Sequence, residues 1–303
     1  MTQPVNAILG DQVADKVRRR KNIQSVSSPL PKTTRVITVS NQKGGVGKTT
    51  TTVNIASALA RRGANVLVID LDPQGNASTA LGVAHEPGTV SVYEALIGEV
   101  SIKDAVQVTS DHERLYCVPS TINLAGAEIE LVSLVAREQR LKVALEAFLR
   151  ESETKFHYVF IDCPPSLGLL TVNAFVAATE VMIPIQCEYY ALEGLSQLLG
   201  SISLIEQHLN PKLHVSTILL TMYDSRTNLS QEVAAEVREH FPKQTLKTII
   251  PRSVRISEAP SHGETVHSYD PSSIGALAYL EAAQEIAERG VTKTSDNLKG
   301  AKK

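Results

Sequence analysis

Apolar and polar positions follow two rhythms along the chain. Short runs that are apolar at nearly every position read as strands buried on both faces: 36–39 (VITV), 65–70 (VLVID at its core), 157–162 (HYVFID), 181–185, 213–221 and 245–250. Between them, apolar residues recur every three or four positions and predict helices at 51–62, 91–98, 121–150, 169–178, 192–209 and 273–289. Strand and helix in alternation predict an α/β fold: a doubly wound, mostly parallel sheet with helices on both faces. No internal repeat breaks the order. The pattern divides the chain into a flexible basic arm at 1–34, one compact domain at 35–290 and a polar, lysine-rich tail at 291–303.

Composition narrows the function classes. Hydrophobic residues make up 43% of the 303 positions, aromatics only 4%, and tryptophan is absent, so the core must be aliphatic. The formal net charge of −2 exerts no global pull on nucleic acid, and any such contact must come from a local patch. The three cysteines, Cys117, Cys163 and Cys187, form no Cys-x-x-Cys pair and read as small core residues in a reducing compartment. No apolar run reaches the ~20 residues of a membrane span, and the N-terminus has no signal-peptide core. The arm carries Lys16, Arg18, Arg19, Arg20 and Lys21, with Val13, Val17 and Ile23 spaced as in a short inducible helix. It suits a solvated arm, a weak DNA contact or a docking segment, and the sequence does not choose among them.

The chemistry gathers at Lys43-Gly44-Gly45-Val46-Gly47-Lys48-Thr49-Thr50, between the first strand and the first helix of the domain. Glycines let backbone N–H groups close around phosphate oxygens, and the helix N-terminus adds partial positive charge. The loop departs from the Gly-x-x-x-x-Gly-Lys-Ser/Thr template: Gln42 replaces the first glycine and Lys43 follows it. Lys48 then serves as the phosphate lysine and Thr49 as a Mg²⁺ ligand, while Lys43 is a second cation with no obvious place in its own site. Two strands close on aspartate, VLVID-L-D at Asp70 and Asp72 and HYVFID at Asp162. In doubly wound sheets ligands gather at such strand ends, and an apolar strand ending in Asp is the pattern that positions Mg²⁺. Loops after later strands carry Arg226, Arg252 and Arg255, and Tyr189 and Tyr190 precede a helix as packing or interface residues.

The loop K-G-G-V-G-K-T-T resembles the deviant Walker A loop of the ParA/MinD family of ATPases, and the stretches DLDPQ, DCPPSLG, TMYDSRTNLS and IPRSVRISEAPSHG resemble its chromosomal ParA/Soj branch. The resemblance covers about 35–290. It implies that ATP and Mg²⁺ are the cofactors, and that an ATP-bound homodimer sandwiches two nucleotides. Lys43 would reach the partner's nucleotide, and Asp72 would position the attacking water. Asp162 would hold the Mg²⁺ shell through water, with Asp70 in support and Gly168 as a pivot. Met222 and Pro251 would flank the adenine, and Arg226 and Arg255, extended here to Arg252, would bind DNA backbone. The implied function is DNA partitioning: slow, dimer-dependent ATP hydrolysis, non-specific DNA binding, and release stimulated by a ParB-type protein. It implies a cytoplasmic, nucleoid-associated protein that does not bind membrane. The alternative is a MinD-like membrane-associated positioning ATPase, against which the polar end of the chain argues. An iron-protein reading lacks a second cysteine motif for a cluster. A scaffold that uses ATP only to dimerise is a further rival.

Overall fold

The computed structural model describes residues 5–189 and 191–300, so Tyr190 lies outside the described residues. Seven strands form one sheet: β1 Arg35–Val39, β2 Val66–Asp70, β3 Gln107–Val108, β4 Leu115–Val118, β5 Tyr158–Asp162, β6 Glu180–Gln186 and β7 His214–Thr221. Their spatial order is β3-β4-β2-β5-β1-β6-β7, with every pair parallel except β3–β4. The helices in the first half are α1 Val5–Ser25, α2 Lys48–Arg61, α3 Asn76–Ala80, α4 Val92–Ile97, α5 Ile102–Ala105, α6 Leu124–Leu131 and α7 Arg140–Glu151. The second half adds α8 Leu169–Ala177, α9 Ala191–His208, α10 Asn228–His240, α11 Val254–Glu258, α12 Val266–Tyr269 and α13 Ile274–Gly300.

Strand alternation divides the core into layers. Val66 and Val68 of β2, with Tyr158 and Phe160 of β5, pack beneath α2 and α13. Leu67, Ile69, Val159 and Ile161 face the opposite layer, with α7 and α8. Both faces are covered, which is why these strands carry no polar position before their terminal aspartates. A third cluster joins β6 and β7 to α9 and α10. The three cysteines are buried and free.

Two expectations need correction. The segment 245–250 is not a strand. Leu246 and Ile250 donate to the Ile218 and Leu220 carbonyls, but the intervening Lys247 and Thr248 amides turn to the Glu285 carboxylate at 3.0 and 3.1 Å. A carboxylate from α13 thus takes the Thr248 donor that a sixth parallel pairing would need. The short strands β3 and β4 did not stand out in the pattern, because β4 is only four residues long. Tyr189 is 77% exposed and does not pack into the core of its own subunit.

The N-terminal segment forms α1 over Val5–Ser25. Its C-terminal half lies against α13: Ile23 is buried, and Arg19 forms a two-pronged contact with Glu281 at 2.9 and 2.5 Å. The last helix runs on to Gly300, past the boundary read near 289.

α12 is fixed to α2 through Asn54, whose side chain accepts from the Val266 amide at 2.8 Å and whose carbonyl lies 3.1 Å from His267 Nε2. Burial is the main cause that pushes the His267 pKa down to about 4. A depressed imidazole stabilises the fold fully above its unfolded value near 6.5, and that contribution is lost as pH falls toward 4. We expect unfolding free energy to drop by on the order of 3 kcal/mol across this window, with His267→Gln flattening the profile in denaturant titrations. An unchanged profile in the variant would show that His267 is not the titrating group.

Candidate nucleotide site

The glycine-rich loop is held from both sides. Asn41 donates to the Pro184 carbonyl at 2.8 Å and accepts from the Lys43 amide at 3.0 Å. Thr221, at the end of β7, donates to the Val46 carbonyl at 2.8 Å. Gly45 and Gly47 adopt φ of +74° and +87°, a region that costs glycine little and other residues more. A Cβ on Gly44 or Gly45 would meet nothing within 4 Å, so the space above them is open. That space belongs to a cavity of about 770 Å³ lined by Gly44, Gly45, Gly47, Lys48, Thr49 and Thr50, with Asp72 and Met222 on its far walls. The free amides of α2 begin here, at the positive end of a 14-residue helix.

Lys48 is buried, and its ammonium donates to the Lys43 carbonyl at 3.2 Å. Burial lowers its pKa, against the pull of Asp162. Asp162 accepts from Thr49 at 2.6 Å and from Thr52 at 2.8 Å, one hydroxyl on each oxygen. Thr49 and Thr52 are three residues apart, so one helix face presents both. Burial, then neighbouring Asp70, pushes Asp162 up to about 7. The two aspartates are register partners at the ends of β5 and β2.

Asp70 is fully committed within the protein. It accepts from the Ser78 amide at 2.8 Å, the Ser78 hydroxyl at 2.7 Å and the Asp72 amide at 3.2 Å. Burial raises it to about 6. Asp70 therefore anchors the Asp72 loop to α3 and does not line the cavity. Asp72 lines it, and one of its oxygens accepts from the Gln74 amide at 3.0 Å.

The residues fit Mg²⁺. Thr49 Oγ1 and Asp162 Oδ2 are hard oxygen donors brought together at the loop. Among the described residues no group of three or more His, Cys, Asp or Glu could hold a metal. That suits an ion which takes one or two protein oxygens and completes its shell with water and substrate phosphate. A cation here would also compensate a buried carboxylate that desolvation otherwise pushes toward its neutral form.

The remaining predicted residues divide. Lys43 is half-exposed and its ammonium pairs with Glu188 at 2.7 Å. Met222 lines the cavity with φ of +50°. Pro251 does not; it lines a separate cavity of about 480 Å³ with Tyr223 and Lys247. The two arginine loops are joined through Tyr223, whose amide donates to the Ile250 carbonyl and whose carbonyl accepts from the Arg252 amide, both at 3.1 Å. Arg226 is exposed and pairs with Asp224 at 2.7 Å, holding that carboxyl well below the usual range. Arg255 is exposed beside Glu258 at 3.1 Å and Asp270 at 3.6 Å. Sequence reasoning missed Thr52, Ser78, Glu188 and the cavity-lining Asn76, Thr79 and Pro260. The spacing of Thr52 from Thr49 could have flagged it. Ser78 and Glu188 carry no local signal.

Comparison with known proteins agrees with this geometry. A family model described as an AAA domain matches residues 34–215. The chain is 52% identical over 256 residues to the sporulation initiation inhibitor protein Soj of Bacillus subtilis (strain 168), covering 84% of this chain and 99% of that one. It is 48% identical over 255 residues to the chromosome partitioning protein ParA of Caulobacter vibrioides (strain NA1000 / CB15N), covering 84% and 94%. Among solved structures, one from Mycobacterium smegmatis, named cobyrinic acid a,c-diamide synthase and holding an ATP analog and magnesium, superposes with a TM-score of 0.70 at 41% identity, covering 82% and 93%. The cell division ATPase MinD of Pyrococcus furiosus superposes with a TM-score of 0.69 at 28% identity, covering 84% and 98%.

Ser78 is the joint between Asp70, α3 and the Ser120 amide, which donates to its hydroxyl at 3.0 Å. Ser78→Ala should cost about 1–3 kcal/mol in thermal or denaturant unfolding, because it leaves buried polar groups short of partners. Nucleotide binding should survive while turnover falls, since the loop that loosens carries Asp72. Wild-type stability and turnover together would remove Ser78 from this role.

Proposed function

Because the chain belongs to the Soj/ParA family of partitioning ATPases, we propose that it binds ATP with Mg²⁺, dimerises around two nucleotides, and uses slow hydrolysis to time its release from DNA. The observation that carries this reading is the placement of the two loop lysines. Lys48 is buried at the cavity of its own subunit, whereas Lys43 directs its ammonium away to an exposed partner, Glu188. A cation presented at the rim of one subunit is available to a phosphate held by another.

In this mechanism the loop amides and Lys48 cradle the phosphates and neutralise the charge that develops on them. Thr49 and Asp162 would hold Mg²⁺, which would supply further neutralisation of phosphate charge. Asp72 faces the cavity with its second oxygen unbonded among the described residues, and it orients the attacking water. The partner's Lys43 would add positive charge only in the dimer. Turnover is then slow, because the competent state is a minor population without its activators.

Arg226 and Arg252 stand on two joined loops, with Arg255 in the adjoining α11, and all three would contact DNA phosphates without reading sequence. Doubled in a dimer they form a patch that the acidic total charge does not forecast. A ParB-type protein would stimulate hydrolysis and return the subunits to the monomeric, DNA-free state, placing the protein in the cytoplasm at the nucleoid. Among the described residues no helix is long and apolar enough to cross a membrane.

Asp72→Ala should elute as a dimer with ATP and hydrolyse at least ~100-fold more slowly than wild type. Lys43→Ala should bind ATP yet lose the dimer-dependent part of turnover. If every form stays a monomer with ATP in size-exclusion chromatography, the sandwich reading fails. Arg255→Glu should abolish ATP-dependent retention on DNA at ~0.1 M salt while leaving ATP binding intact, and equal retention would remove Arg255 from the DNA surface.

A further inference from the structure

The N-terminal helix lies outside every role assigned above, and its position is defined by contacts. Arg19 and Ile23, four residues apart, form the face turned to α13. Arg62 donates to the Ile23 carbonyl at 3.0 Å and to the Val26 carbonyl, which fixes the end of the helix. Arg20 donates to the Pro271 carbonyl at 2.7 Å, one residue from the Asp270 carboxylate that faces Arg255. Arg19 also lines the cavity that contains Pro251, the residue before Arg252. The basic segment is thus carried to the edge of the arginine loops.

Its charges are left for a partner. Arg18 is 74% exposed, and among the described residues its one ionic contact is with Asp15 on the same helix at 2.5 Å. Lys21 is exposed, and Arg20 is bonded to a carbonyl, which does not neutralise it. An exposed ion pair such as Arg18–Asp15 contributes at most about 1 kcal/mol, so a phosphate can displace it. Helix geometry sets Arg18 and Lys21 three residues apart on the outward face, whereas Lys16, two turns before Ile23, falls on the docked side.

Resting on the DNA-binding reading above, we propose that α1 is a docked extension of the nucleic-acid surface, whose basic face binds duplex phosphates beside Arg252 and Arg255. The partner is the sugar-phosphate backbone of double-stranded DNA, bound without regard to sequence.

The test uses the full chain with Mg²⁺ and a non-hydrolysable ATP analogue, and measures affinity for a random-sequence duplex as a function of salt. The double variant Arg18→Gln, Lys21→Gln touches none of the contacts that dock the helix. Its slope of log affinity against log salt should be shallower by about 1 to 2, with affinity about 10-fold weaker at ~0.1 M salt. The charge-preserving double variant Arg18→Lys, Lys21→Arg should keep the wild-type slope. If wild type binds DNA and the Gln double variant has the same slope, this inference fails and the arginine-loop surface stands. If wild type binds no duplex in any nucleotide state, the DNA reading itself fails. Pelleting of wild type with phosphatidylglycerol vesicles, lost in the Gln double variant while the DNA slope is unchanged, would assign the helix to a membrane surface and overturn the proposal.

Discussion

Two carboxylates stand side by side at the ends of adjacent buried strands, and the site is built to tolerate them. Asp70 and Asp162 are register partners with no exposed surface, and burial together with mutual repulsion opposes their ionisation. Three hydroxyls and two amides answer that cost. Thr49 and Thr52 come from α2, and Ser78 with the Asp72 amide comes from the loop and helix after β2. The same bonds that satisfy the charges therefore tie the phosphate loop, the Asp72 loop and the sheet into one unit. Removing a hydroxyl would leave a buried charge short of a donor, so a change at Ser78 would be felt in the Asp72 loop.

The strands that build this arrangement were legible because burial on both faces removes polar residues from them. Where a strand is short, as in β4, the pattern has too few positions to register. The segment 245–250 is apolar enough to read as a strand, yet Glu285 diverts two of its amides. That diversion depends on a residue some forty positions away, and local propensity does not contain it. The same limit applies to the site. Lys48, Thr49, Asp72 and Asp162 sit in motifs whose spacing carries the chemistry. Ser78, Glu188 and the cavity wall at Pro260 gain their roles only from folding. Asp70 shows the boundary: its position at a strand end suggested the metal shell, but its oxygens are already spoken for by Ser78 and Asp72.

The N-terminal segment follows the same logic in reverse. Its composition describes a solvated arm, and most of the stability of a helix in a protein comes from tertiary packing rather than from propensity. Docking changes the balance, since Ile23 is buried beside Gln284 and Arg19 meets Glu281, both on α13. Neither partner is readable from the arm itself, because both belong to the far end of the chain.

In the proposed dimer, Lys43 would let a site with a fixed backbone switch. Its ion pair with Glu188 joins side chains that are 41% and 43% exposed, so solvent screens it and it holds the lysine only weakly. In the proposed dimer the same ammonium would meet phosphate oxygens in a space closed to water, where a charge contact is far stronger. The loop beneath need not move for this exchange, because Asn41 and Thr221 fix its backbone and only the flexible lysine stem must turn. A weak resting contact and a strong assembled one would give the nucleotide a differential affinity for two states, and such a difference is what a ligand-driven assembly requires.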